Sequence, residues 1–232
     1  MASVIDSIRS VYQENFSLFK MGGFSCVIYF LVSLLITSFS LNFISLMVIM
    51  LIVYLYLGYS CIIINNRINQ RIQTLPSFDV VGFVNIATKA FSIAFPYIAI
   101  GYFIANVMVQ IFSFEGVPQL VAIWMLRFFV FSLMGVVLIN FSEKFDIKDA
   151  LNIGKIFNGI TDVIAYTLIC IVTLSILGVF IFAPVLFLIH NFYQFGALFQ
   201  FVSVFFLTIC IAVLSDYWGQ LHYDIESKNN YY

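Results

Sequence analysis

Six long apolar stretches, at roughly 21–40, 43–63, 92–113, 119–141, 163–189 and 194–217, constrain this chain more than any other feature. A helix needs about 20 apolar residues to cross the roughly 30 Å hydrocarbon layer of a bilayer. Lipid supplies no water for an exposed amide, so each crossing segment must satisfy its own backbone hydrogen bonds. The composition points the same way, with 63% hydrophobic residues and 9% charged, against about half and a quarter in soluble domains. A water-soluble fold of this size would leave much of that apolar surface outside. The expected fold class is all-α. It is a polytopic membrane helix bundle of about six transmembrane helices, forming one integral membrane domain over residues 1–232.

Charge placement tests the count. The cations are Arg9, Lys20, Arg67, Arg71, Lys89, Arg127, Lys144, Lys148, Lys155 and Lys228. With six spans, all but Arg127 fall on the side shared by the N-terminus, the two longer loops and the C-terminus. Arg127 lies inside the fourth span. Positive loops stay in the cytoplasm, so the expectation is a multi-pass protein of the cell membrane with both termini cytoplasmic. The first 20 residues carry Asp6, Arg9, Glu14 and Lys20 and lack a signal-peptide core. The first span is expected to act as an uncleaved insertion signal.

The cytoplasmic segments carry helical periodicity of their own. In residues 3–20, Val4, Ile5, Ile8, Val11, Tyr12, Phe16 and Phe19 recur at helical spacing, with Ser3 and Asp6 placed to cap the start. Residues 146–160 repeat the pattern through Ile147, Ala150, Leu151, Ile153, Phe157 and Ile160, with Asp146 as cap. Both are expected as amphipathic helices in the interface, basic groups toward headgroups. Phe78-Asp79 with Asn85-Ile86 also matches Phe145-Asp146 with Asn152-Ile153 at a constant offset, and Gly58, Gly135 and Gly219 recur near the cytoplasmic ends of alternate spans. Three repeat units, 1–64, 65–142 and 143–226, are expected, each an interfacial helix followed by a helical hairpin.

Leu75-Pro76-Ser77-Phe78-Asp79 follows a span ending Leu57-Gly58-Tyr59 and a basic stretch with Arg67 and Arg71. Together with Asn140-Phe141 to Phe145, Asp149-Ala150-Leu151, Ile156-Phe157 and the closing Trp218-Gly219-Gln220-Leu221-His222-Tyr223, this resembles a family of prokaryotic integral membrane proteins catalogued as a domain of unknown function. The resemblance covers most of the chain. It implies a compact six-span protein and no assigned activity.

No catalytic constellation is legible. There is no HExxH, no Gly-x-Ser-x-Gly elbow and no P-loop. His190 and His222 fall at opposite membrane faces and cannot share a metal. Cys26, Cys61, Cys170 and Cys210 each sit in an apolar run without CxxC spacing. No enzyme, cofactor or metal is expected, and a net charge of −1 suggests no nucleic-acid partner. Arg127 is the candidate site residue, roughly 6 Å from the middle of its span by the helical rise. Charge at such depth points to an anion or lipid phosphate, a helix-pairing acid, or snorkelling outward, with Glu115 the nearest acid in sequence. Other polar groups within spans are Asn106, Gln110, Ser132, Thr173, Ser175, Gln200, Ser203 and Thr208. Asp162 and Asp216, near the cytoplasmic ends, are expected to meet basic loop residues at the surface. The leading expectation is a non-catalytic structural or accessory component of the membrane, with lipids and other membrane subunits as partners. The alternative is a small transporter or channel with a polar path near Arg127.

Overall fold

The computed structural model describes residues 2–14, 16–37, 42–71, 73–76, 79–112, 117–189 and 196–229. Its helices are α1 (Val4–Gln13), α2 (Ser17–Thr37), α3 (Asn42–Ile68), α4 (Val80–Phe112) and α5 (Val117–Lys144). They continue with α6 (Ile147–Ala150), α7 (Ile153–Leu177), α8 (Ala183–Leu188) and α9 (Gly196–Asn229). A π-helical turn, Gly178–Phe182, joins α7 to α8. Six helical stretches are long and apolar enough to cross a bilayer, with α7, the π turn and α8 forming one of them. No strand occurs among the described residues. The expected all-α bundle is the fold.

α3 and α9 form its centre. α3 packs against α2, α4, α5 and α9, while α9 also meets α1, α2 and α7. The core gathers along these two helices, from Leu57 and Tyr59 through Ile63 and Ile64 on α3, and Ala212, Val213, Tyr217 and Leu221 on α9. Many large apolar side chains on α2, α4, α5 and α7 stay exposed, Phe30, Phe103, Met125 and Ile169 among them. Hydrocarbon is the solvent in which that surface is stable.

The boundaries follow local chemistry. Ser3 caps α1, its hydroxyl accepting from Asp6 N–H at 3.4 Å, as expected. Phe16, with φ 61°, turns the chain so that α2 starts as a separate helix at Ser17. Of the apolar set expected on α1, Val4 and Val11 are buried against the bundle, whereas Ile5, Tyr12 and Phe16 are exposed. The stripe is thus divided between the protein and its surroundings.

Residues 146–160 form no single helix. Asp146 accepts from Lys148 N–H at 3.0 Å and starts the one-turn α6. Asn152 then accepts from Lys155 N–H at 3.3 Å and starts α7, which runs on into the span. A short polar side chain bonding the backbone three residues ahead competes with helix continuation, so the second cap divides the stretch. In the repeat-matched segment, Asp79 accepts from Gly82 N–H at 3.1 Å, but Asn85 lies inside the unbroken α4. Among the described residues the separate short helix ahead of a hairpin is therefore seen at α1 and α6, and not before α4.

Pro96 sits inside α4 and Pro184 at the start of α8. Ahead of Pro184 the Ala183 N–H reaches Gly178 O, a π-type bond. Proline lacks a donor and its ring crowds the carbonyl four residues back. The wider turn accommodates it.

Candidate functional site

The helix ends from which the cationic segments emerge meet in a polar layer built from α1, the end of α3, residues 69–71 and 73–76, and the end of α9. Ser3, Ser7 and Ser10 recur at helical spacing on one side of α1, and Asp216 and Gln220, four apart, share a side of α9. These two rows meet. Ser3 N–H donates to Gln220 Oε1 at 2.9 Å, and Gln220 Nε2 donates to Ser7 Oγ at 2.7 Å and Asp216 Oδ2 at 3.0 Å. Ser10 Oγ donates to Asp216 Oδ1 at 3.3 Å and lies 2.9 Å from Thr74 Oγ1.

Asp216 is the focus. Its side chain has 0% exposure, and Arg67 Nε of α3 stands 3.7 Å from Oδ1. A surface ion pair was expected here; the carboxylate is instead fully buried. An ion taken from water costs several kcal/mol unless its acceptor sites are filled. Ser10 and Gln220 donate to its two oxygens, and Arg67 supplies the opposite charge.

Gly219 allows this arrangement. A Cβ on it would lie 2.6 Å from Arg67 Cβ and 3.1 Å from Ile64 O. Only a residue without a side chain lets α9 come so close to α3. Its neighbours face elsewhere: Trp218 Nε1 donates to Thr167 Oγ1 of α7 at 2.9 Å, and Gln220 holds α1. Consecutive helical residues point about 100° apart, so Trp218-Gly219-Gln220 joins α9 to α7, α3 and α1 in turn. Gly58 and Gly135 are also close-approach points, against Ala87 and Trp218.

Glu14 fixes the loop after α3. Its Oε2 accepts from Thr74 N–H at 2.8 Å and Leu75 N–H at 2.7 Å, while Oε1 pairs with Lys20. Asn66 Nδ2 donates to Thr74 O at 3.2 Å, and Arg71 Nη1 donates to Asn66 Oδ1 at 3.2 Å. Asn65 Nδ2 donates to Ser142 O at 2.7 Å, tying α3 to α5. Glu143 beside it pairs with Lys144 and Lys155. An open cleft of about 420 Å³ remains, lined by Asp6, Arg9, Ser10, Gln13, Glu14, Arg67, Arg71 and Thr74.

Arg127, the residue singled out from the sequence, is exposed on α5 with its guanidinium 5.6 Å from the Trp124 ring centroid. Glu115, the side chains of Asn106 and Gln110, and His190 lie outside the described residues. Thr173 and Ser203 donate to the backbone of their own helices, at Ile169 O and Phe199 O. Thr208 likewise donates to Val204 O at 3.0 Å, and it also meets Ser25 at 3.0 Å and Tyr56 at 3.2 Å, linking α9 to α2 and α3. Among the described residues no group of His, Cys, Asp and Glu is placed to hold a metal. Sequence reasoning missed Ser7, Ser10, Glu14 and Gln220 as site residues; the serine spacing on α1 was the available signal.

With six spanning-length helices and this polar layer at one end, the chain is a multi-pass helical membrane protein. No family model, curated protein or solved structure matches it.

Proposed function

We propose that the protein is a non-catalytic structural or accessory component of the cell membrane, with its polar layer and both termini in the cytoplasm. Its partners are membrane lipids and other membrane-protein subunits. One observation carries this reading: Asp216, the buried carboxylate, is committed to Ser10, Gln220 and Arg67, which hold helices together. A general acid or base needs a face open to substrate, and this group spends its acceptors on the fold. The transporter reading draws its path from Arg127, which stands on the exposed side of α5 beside Trp124. That position suits a headgroup or interface contact better than the wall of an internal path.

The test is crosslinking of the tagged full chain in the membranes of its native cells, followed by mild-detergent purification. A defined membrane-protein partner, recovered in constant ratio, is the expected result. Migration of the chain alone, with no crosslinked partner, would remove the accessory-subunit reading.

A further inference from the structure

The polar cleft between α1 and the end of α3 is more than a by-product of packing. Three guanidinium groups, Arg9, Arg67 and Arg71, line it together with the carboxylates of Asp6 and Glu14. Glu14 is already engaged by Lys20 and by the amides of Thr74 and Leu75. Asp216, behind the cleft, faces Arg67 through Nε. Counting these partners, four cations stand against three carboxylates, so positive charge is left over at the cleft. Two of the guanidiniums are positioned. Arg67 is held by Asp216 and by its stem's contact with α9 at Gly219, and Arg71 by Asn66. A guanidinium carries five N–H donors; the bond to Asn66 uses one of Arg71's, and Arg67 faces Asp216 at 3.7 Å, an ion pair beyond hydrogen-bond length. Arg9, exposed on α1, has no carboxylate partner among the described residues.

Guanidiniums lining one cleft suit the paired oxygens of a phosphate group, which can accept two parallel N–H bonds from one fork. The cleft is open and lies at the end of the bundle where the cationic segments gather, the level that phosphate headgroups occupy on the positive-inside expectation. We propose that this cleft binds a phosphate group through Arg9, Arg67 and Arg71, carried either by an anionic lipid headgroup or by free phosphate. The inference does not rest on the non-catalytic reading, since an anion site here would serve an accessory subunit and a transporter alike.

The test uses the purified full chain. In neutral detergent, inorganic phosphate is titrated at constant ionic strength and binding is read from the melting temperature. In parallel, the chain is placed in nanodiscs of phosphatidylglycerol and phosphatidylcholine, and the lipid it retains is counted by native mass spectrometry. The Arg9→Gln/Arg71→Gln double variant is expected to lose at least about tenfold in affinity for whichever probe binds. Lys148→Gln, which removes an exposed cation at the same end, is expected to leave it unchanged. Retention of phosphatidylglycerol over phosphatidylcholine assigns the group to a lipid; a response to inorganic phosphate alone assigns it to a soluble anion. Equal binding by wild type and the double variant, an equal loss in Lys148→Gln, or no response to either probe overturns the proposal. Should the double variant not fold, Arg9→Gln alone decides between the same outcomes, since Arg9 forms no contact that holds the helices.

Discussion

Arg67 and Asp216 meet across the two central helices, the guanidinium Nε 3.7 Å from a carboxylate with no exposed surface. The arginine is about one-third exposed and the acid is not exposed at all, so the pair is asymmetric. Removing the arginine leaves Asp216 its bonds from Ser10 and Gln220. Removing the acid takes the buried charge away, and Ser10 keeps Thr74 and Gln220 keeps Ser7 as partners. Arg67→Ala, which strands a buried carboxylate without its counter-ion, is therefore expected to destabilise more than Asp216→Ala, by about 1–3 kcal/mol. Melting of both variants in detergent checks the order; equal losses would contradict it.

Gly219→Ala sets two effects against each other. Alanine favours a helix by up to about 1 kcal/mol over glycine. The added Cβ, however, would come within 2.6 Å of Arg67 Cβ and 3.1 Å of a backbone oxygen, and overpacking costs about 1–3 kcal/mol. Neither neighbouring atom is the free end of a flexible chain, so the clash wins and the melting temperature falls. Gly22→Ala, with nothing within 4 Å of the new methyl group, is expected to hold or raise it.

Glu14→Ala releases two backbone amides and Lys20 together. Loss of order should centre on residues 73–76, with α2 and α3 still folded. Hydrogen exchange is the fitting measurement: faster exchange at Thr74 and Leu75 is expected, with protection in the middle of α3 retained. Uniform deprotection of the whole bundle would show that the contact does not act locally.

Topology can be read with a membrane-impermeant thiol reagent. In a background without native cysteines, Lys148→Cys is expected to label in inverted vesicles and not in intact cells. The reverse pattern would place the polar layer outside and sink the assigned orientation.

Arg127→Leu removes an exposed side chain whose recorded contact is the Trp124 ring. A change of about 0.5 kcal/mol or less is expected, as for most surface substitutions. A large fall in melting temperature would give Arg127 a helix-pairing role after all.

Hydrocarbon matching made the spans readable, because a run of apolar residues signals burial in lipid whatever its neighbours do. Their ends were less readable. α4 starts at Val80, about three turns ahead of the apolar run at 92, because Asn85 and Lys89 are good enough helix residues to extend it. Asn152 falls inside the periodic stretch 146–160, yet its side chain caps a new helix. α3 and α5 are followed by Gln70 and Phe145 at φ 50° and 55°, where glycine is the usual signal. The polar layer was hidden for another reason: Ser7 pairs with Gln220 and Ser10 with Asp216, over 200 positions apart. Periodicity shows which residues share a helix side and does not show which two sides meet.

The same separation bears on how the molecule is made. Ser3, Ser7 and Ser10 leave the ribosome more than 200 residues ahead of Asp216 and Gln220. At about 5–20 residues per second, α1 waits on the order of tens of seconds before its partners have been synthesised. A chain cut short before the sixth crossing would leave Arg67 and the serine row without them, their polar groups uncovered.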